Sequence, residues 1–542
     1  DLNSKLMGRE NMNNQYDAII VGGGHNGLTA AGYLGKAGLK TLVLERRPVV
    51  GGSVVTEEFY PGYRISTIAY VVSLLQSKVI KDLELKRHGF EMIKMDGTLS
   101  ICQDDYLFFN EDDEHNRKEV ERFSRTDYDA IEAFEDMFQS VAGVIRNQML
   151  REPPKLDAGL SDLLSLGRIG LDVHRLTPEL RHRLLQILTS SAYDLIERWF
   201  ESPMIKSMYG AACFSGNYAS LRQPGSAIPL FHSSIGEIDG ERGAWRMVKG
   251  GMGALTQAMA SFARSKGVEI RTDAPVKKIQ VRNGCATGVQ MESGDVIHGR
   301  CVVANTDPKR TFLTLVDSEY LDPEFAKDIK QIRMGHASWR LNLALKGLPD
   351  IRFFPSGEGP WHRSDILIFP DIQGQEANYF AAAMGHFPKD PRLEITIPST
   401  LDDTLAPSGH HVMTVLAKYY PFELAGGISW DDAKEDAADQ VIAYITKAMP
   451  HLKELIVGRQ IISPLDLEKE YGLTQADIFH GRHDLDQILS MRPHPQAAQY
   501  RTPIKNLYLC GSGTHPGGGI TGAPGHNAAR RVVTDLKGKS KS

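Results

Sequence analysis

Three glycines, Gly22, Gly24 and Gly27, stand in the spacing G-x-G-x-x-G between the apolar run 16–21 and the Ala- and Leu-rich stretch 28–38. In a strand, turn, helix setting each has its own task. Gly22 permits the sharp turn, Gly24 lets backbone approach a pyrophosphate, and Gly27 lets helix pack close to strand. Asn26 lies inside the same turn. The following helix would present unpaired N–H groups and a partial positive charge to phosphate. Glu45 comes 18 residues after Gly27, at the end of a second apolar run, 41–44. There a carboxylate can accept ribose hydroxyls. The combination reads as a dinucleotide site, and NAD and FAD both use it.

The glycine pair Gly51-Gly52 follows Glu45 by six residues, with Arg46 and Arg47 between. This resembles the FAD-binding pattern of glutathione-reductase-type flavoproteins, in which such a pair approaches the cofactor. The run 507–520, with Gly511-Ser512-Gly513-Thr514-His515-Pro516-Gly517-Gly518-Gly519-Ile520, is similar to the C-terminal signature of phytoene dehydrogenases and their relatives. Gly250-Gly251-Met252-Gly253-x-Leu255, Leu485-Asp486-Gln487 and Arg492-Pro493 extend the likeness over nearly the whole chain. Arg198-Trp199-Phe200-Glu201-Ser202 and Gly243-Ala244-Trp245 carry a finer match within that group, with carotenoid ketolases of the phytoene-dehydrogenase type somewhat farther away.

The resemblance implies non-covalent FAD. It places the backbone of Val276 beside the adenine, Gly511 and Ser512 along the cofactor, and Gly518, Gly519 and Ile520 against the isoalloxazine ring. The last glycine stretch also opens a helix, whose N-terminus suits the electron-rich edge of a reduced flavin. His515 is a candidate for the flavin face, and Trp199, Phe214 and Trp245 are candidates for lining a channel for a long apolar substrate.

Two features depart from the family pattern. Many relatives carry Arg directly after the glycine pair, whereas Ser53 stands here, so Arg46 or Arg47 is expected to balance the pyrophosphate charge. A second strand-linked G-x-G-x-x-G is missing as well, which argues against a dedicated NAD(P) domain. The five cysteines, Cys102, Cys213, Cys285, Cys301 and Cys510, are scattered and form no C-x-x-C pair. They argue against dithiol chemistry and favour a reducing compartment, the cytoplasm or the mitochondrial matrix. His480-x-x-His483 and His410-His411 lack a third ligand motif, so no metal is expected.

These residues need a scaffold. The 542 residues exceed one compact core, and 42% hydrophobic against 24% charged residues excludes disorder as the main state. A net charge of −5 without a basic segment excludes a nucleic-acid footprint. The apolar stretch 18–35 is broken by glycines and polar residues, so it does not serve as a membrane span.

The expected fold class is α/β: a discontinuous, glutathione-reductase-type, Rossmann-like FAD-binding domain with an α+β substrate domain. The first takes 16–90, 246–315 and 495–538, with strands at 268–271, 276–282, 286–291, 301–304 and 506–510 and a helix at 528–536. The second takes 91–245 and 316–494, with a helical part over about 126–215; residues 1–15 read as a disordered lead. Leu163, Leu164, Leu184, Leu185, Ile187 and Leu188 supply apolar helix faces. In 340–346 the alternation turns Leu341, Leu343 and Leu345 inward, and 411–419 alternates similarly, so a mostly antiparallel sheet is expected.

The expected activity is an FAD-dependent oxidoreductase of dehydrogenase or desaturase type. It takes hydride from an apolar, isoprenoid- or polyene-like small molecule and passes electrons to dioxygen, a quinone or a protein. A flavin amine oxidase and a non-catalytic carrier of hydrophobic ligands are the alternatives. Peripheral contact with a membrane and the oligomeric state stay open.

Overall fold

A computed structural model describes residues 16–155, 160–214, 218–335 and 338–538; the expected lead at 1–15 lies outside the described residues. In chain order the elements that frame the site begin with β1 (Tyr16–Val21), α1 (His25–Lys36), β2 (Thr41–Leu44), β3 (Thr98–Cys102) and β4 (Asp105–Phe109). A helical stretch follows: α2 (Arg125–Met149), α3 (Leu160–His174), α4 (Pro178–Thr189), α5 (Ala192–Trp199) and α6 (Pro203–Ala212). Next come α7 (Gly253–Ser265), β5 (Glu269–Arg271), β6 (Val276–Arg282), β7 (Cys285–Met291) and β8 (Val296–Ala304). The last part holds β9 (Ser338–Leu345), β10 (Asp365–Phe369), β11 (Arg392–Thr396), β12 (His411–Lys418), α8 (Trp430–Thr446), β13 (Ile456–Ile462), β14 (Leu507–Leu509) and α9 (Ala523–Gly538).

Two seven-stranded sheets organise the molecule. The first runs β5-β2-β1-β8-β7-β6, with β14 also pairing β8. Its pairs β5·β2, β2·β1, β1·β8 and β8·β14 are parallel, while β6, β7 and the start of β8 form an antiparallel meander. Three well-separated stretches of chain therefore share one sheet, the discontinuous Rossmann-like layer expected from the motifs. β8 starts at Val296, five residues before the expected strand, because its first half is recruited by β7. α1 packs against α7 and α9. α9 starts inside the last glycine stretch, and Gly525 explains how: a Cβ there would meet the Asn26 carbonyl oxygen at 2.2 Å, so only glycine allows this approach.

The second sheet runs β13-β9-β12-β11-β10-β3-β4, antiparallel throughout except for β10·β3. One face of β9 packs Leu341, Leu343 and Leu345 into a core with α8. The expected alternation is incomplete, because Arg340, Asn342 and Ala344 on the other face are buried too. A second layer covers that face, and its polar residues must find partners inside the protein. The helices also correct an expectation. Leu184, Ile187 and Leu188 face the helical core, but Leu163, Leu164 and Leu185 are 56, 61 and 63% exposed. No helix among the described residues is long and apolar enough to cross a membrane.

Leu343 is fully buried in the second sheet's core. Leu343→Ala is expected to cost about 2–5 kcal/mol through lost transfer energy and the residual cavity, read as a lower urea midpoint with an unchanged slope.

Candidate active site

The glycine turn after β1 meets the glycine pair after β2 backbone to backbone. The Gly51 amide donates to the Gly23 carbonyl at 2.9 Å, and Gly24 and Gly51 form an isolated parallel bridge. Side chains are excluded here. A Cβ on Gly27 would lie 2.3 Å from the Gly22 carbonyl oxygen, and one on Gly51, whose φ is +129°, would lie 2.4 Å from that of Val54. Glu45 is buried behind the turn, with Oε2 accepting from the Gly23 amide at 2.8 Å and Oε1 from the Arg47 amide at 2.9 Å. Each oxygen keeps a free lone-pair direction.

The resulting cleft, of about 250 Å³, is lined by Gly22, Gly24, Asn26, Glu45, Arg46, Gly51, Gly52, Ser53, Val276 and Ser512, all named from sequence. Arg47, Asn305, Arg310, Tyr471 and His480 also line it. Asn26 Nδ2 donates to Ser512 Oγ at 3.1 Å, tying the first turn to the last strand's exit. Arg47 pairs with Glu57 at 2.7 Å and lies over the Tyr471 ring. Among the described residues, His25 Nε2, Asn26 Oδ1, Arg47 Nη1 and His480 Nδ1 are buried without a hydrogen-bond partner. Burial and the neighbouring His480 push the His25 imidazole down to about 3, so it is neutral near pH 7.

A second cavity, of about 120 Å³, shares His25, Ser53, Ile478 and Ser512 with the cleft. Gly519, Ile520 and Trp245 line it, together with Tyr70, Arg340, Glu394 and Lys418, which motif reading did not find. The last three project from the covered face of the second sheet. Glu394 is the hub: Tyr70 donates to it at 2.8 Å, Arg392 at 2.6 Å, and Lys418 Nζ lies 3.1 Å away. Arg340 lies over the Tyr70 ring at 4.4 Å, with Nε and Nη1 unpartnered among the described residues.

Burial opposes the Glu394 charge, yet Lys418 and Arg392 hold its carboxyl well below the usual range. Burial and then Glu394 push the Asp365 carboxyl up to about 7. Burial lowers the Lys418 ammonium to about 8 against the pull of Glu394.

A third cavity, of about 280 Å³ and largely apolar, lies against the same glycine loop and is lined by His515, Pro516, Gly518 and Thr521. Its walls include Leu74, Val144, Val173, Leu184, Leu188 and Phe231. His515 is buried, donates from Nε2 to the Gln148 carbonyl at 3.0 Å, and is pushed down to about 4 by burial. It is a neutral donor facing this chamber rather than the one with Ile520. His480 and His483 line different cavities. Gly511 packs on the Asn305 carbonyl, where a Cβ would come within 2.8 Å. Of the aromatic candidates, only Trp245 lines the ion-lined cavity. Trp199 packs on Phe134 in the helical core, and Phe214 packs on Tyr419 while its carbonyl accepts from Lys418.

With this geometry in view, comparison with known proteins gives the class. The pattern of the flavin-containing amine oxidoreductases matches residues 27–339, and the chain belongs to that family. Pyridine nucleotide-disulfide oxidoreductase domain-containing protein 2 from Rattus norvegicus is 37% identical, over 96% of this chain and 94% of the relative. The neurosporene-forming phytoene desaturase from Cereibacter sphaeroides is 26% identical over 94% of this chain and 92% of its own. Among solved structures, putrescine oxidase bound to putrescine superposes with a TM-score of 0.61 at 15% identity, covering 97% of this chain and 99% of that one. The cofactor is FAD and the protein an FAD-dependent oxidoreductase. The cleft fits that cofactor: its glycine cradle would be filled by any Cβ, and four buried polar atoms on its wall lack partners.

The ion cluster predicts a pH signature. Between pH 3.8 and about 7 the folded chain keeps a proton on Asp365 that the unfolded chain has lost, so this group's contribution to stability falls as pH rises. Lys418 acts oppositely: between about 8 and 10.5 the unfolded chain holds the extra proton, and stability rises with pH. Asp365→Asn is expected to flatten the decline below pH 7 and leave the alkaline limb intact, as urea midpoints measured from pH 4.5 to 10 would report.

Proposed function

We propose that this protein is a dehydrogenase of the phytoene dehydrogenase-like group, removing hydrogen from a small molecule with an apolar, isoprenoid- or polyene-like chain. The observation that carries the reading is the shared wall of His25, Ser53, Ile478 and Ser512, which joins the nucleotide cleft to a cavity lined by Gly519, Ile520 and Trp245. When bound, FAD supplies the hydride acceptor. The chain's part is to bind, orient and keep water out.

In this reading the backbone of Gly22, Gly24, Gly51 and Gly52 and the first turn of α1 take the pyrophosphate, with Arg46 and Arg47 in the role that many relatives give to the Arg following the glycine pair. Glu45 holds the ribose, Val276 the adenine, and Asn26 and Ser512 brace the passage to the reacting end. Gly518, Gly519 and Ile520 form the loop against the isoalloxazine. Binding is non-covalent. The apolar chamber on the other side of that loop takes the substrate chain, and water is excluded by the burial of its walls. Electrons leave to dioxygen, a quinone or a protein, because the sequence holds no second dinucleotide turn.

Glu45→Ala is expected to weaken FAD binding by roughly ten- to a hundred-fold, the loss of charge-assisted hydrogen bonds to two hydroxyls. Flavin fluorescence titration of the apoprotein measures it, and an unchanged dissociation constant would remove Glu45 from the site.

The reaction itself is tested anaerobically. Polyenes, retinoids, fatty-acid derivatives and amines are mixed with the yellow protein, and bleaching by an apolar donor is the expected result. Excess NADPH should leave the flavin oxidised over seconds. Rapid bleaching by NADPH would refute the dehydrogenase reading; bleaching by an amine with release of hydrogen peroxide would favour an amine oxidase.

A further inference from the structure

The cavity beside Ile520 is walled by more cations than anions. Arg340 and Lys418 line it beside Glu394, Arg392 stands behind them on the same carboxylate, and the three cations are 3, 4 and 3% exposed. That one carboxylate is already engaged by Arg392, Lys418 and the Tyr70 hydroxyl. Arg340 makes no ion pair among the described residues, and its Nε and Nη1 are buried without hydrogen-bond partners. Its guanidinium carbon lies 4.4 Å from the centre of the Tyr70 ring. Asp365 is the other acid near the cluster, and it lacks a hydrogen bond to Oδ1. Glu394 and Asp365 act on the Arg340 guanidinium through space without bonding it, so its buried N–H groups still call for an anionic partner.

Oxidised FAD, the form that receives the substrate, does not provide that partner. The oxidised isoalloxazine ring is neutral, and the pyrophosphate belongs to the glycine turn at the far end of the cleft. The rest of the cavity wall is apolar, with Ile68, Trp245, Leu416 and Ile520. Ser73 on this wall adjoins Leu74 on the wall of the larger apolar chamber. A ligand matched to these surfaces has an anionic head and an apolar chain. The smallest such head that pairs with a guanidinium is a carboxylate.

We propose that Arg340 is the anion-binding residue of the substrate site, and that the substrate class is a carboxylic acid with a long apolar chain rather than a neutral hydrocarbon or an amine. This rests on the cavity being the substrate site of the FAD-dependent reaction. An ammonium group would enter a field set by three buried cations and meet repulsion. A hydrocarbon would leave Arg340 as it is, unpartnered. A carboxylate completes its hydrogen bonds and balances the excess charge.

The test uses the full FAD-loaded chain and three probes of equal chain length: decanoate, 1-decanol and decylamine. Calorimetry gives the dissociation constants, and perturbation of the flavin absorption band shows that the probe sits near the ring. Decanoate should bind at least about tenfold tighter than 1-decanol, the scale of one buried charge-assisted hydrogen bond, and decylamine should bind most weakly. Arg340→Gln should bring decanoate and 1-decanol to within about threefold of each other, with FAD content unchanged, and Arg340→Lys should keep the order. Equal or tighter binding of 1-decanol or decylamine by the wild-type chain would overturn the proposal, as would an undiminished decanoate preference in Arg340→Gln.

The wild-type order decides the matter alone should Arg340→Gln fail to load FAD. Decanoate preference in a protein whose flavin no donor bleaches would strike the dehydrogenase reading and leave Arg340 standing as the anion-binding residue of the cavity. Bleaching by a neutral polyene, without decanoate preference, would do the reverse.

Discussion

The nucleotide cleft depends on two backbones meeting with no side chain between them. The Gly51 amide reaches the Gly23 carbonyl, and the Gly23 amide in turn fixes one oxygen of Glu45. The acid that follows β2 is thus aimed by the turn that follows β1, so the register of the parallel pair sets the spacing between the glycine turn and the Glu45 carboxylate. Asn305, at the exit of β8, closes the third side: its Nδ2 donates to the Gly22 carbonyl and occupies the space a Cβ on Gly24 would need. Three strand exits converge on one turn.

The second sheet meets a different demand. Its outer face buries an ordinary apolar core against α8, while its inner face carries Arg340, Arg392, Glu394 and Lys418 away from water. Such a cluster contributes little net stability, because desolvation offsets much of the Coulombic attraction. The buried charges are therefore better understood as equipment of the cavity than as a device for holding the sheet together. Lys418 and Asp365 titrating near neutrality follow from the same burial.

Much of this was legible in the sequence, and the reason is local. Gly22, Gly24, Gly27, Glu45, Gly51 and Gly52 meet through short-range backbone geometry, so their spacing alone foretold that they share one turn. The strands after α7 were equally clear, because β-branched runs bounded by turns need no tertiary information. The ion cluster was not legible as a site: Tyr70, Arg340, Glu394 and Lys418 come from four segments; sheet register brings the last three together, and Tyr70 reaches Glu394 from outside the sheet. One signal was present. Arg392 and Glu394 stand at alternate positions of β11, a strand not picked out from the sequence. The exposed leucines of α3 and α4 misled because periodicity shows that a face exists without showing what covers it.

The pairing of β14 with β8 has a consequence for synthesis. Val302 and Leu507 are neighbours in the sheet, yet about 200 residues of chain separate them. At roughly 5–20 residues per second a ribosome needs about 10–40 s to supply the missing strand. Through that interval the parallel edge of β8 lacks its β14 partner, and Asn26 waits for Ser512, 486 positions on. An unpaired edge of this kind is a template for aggregation. The nascent chain carries that open edge until its last strand emerges, and the wall of the cleft that Ser512 supplies is among the last parts to be made.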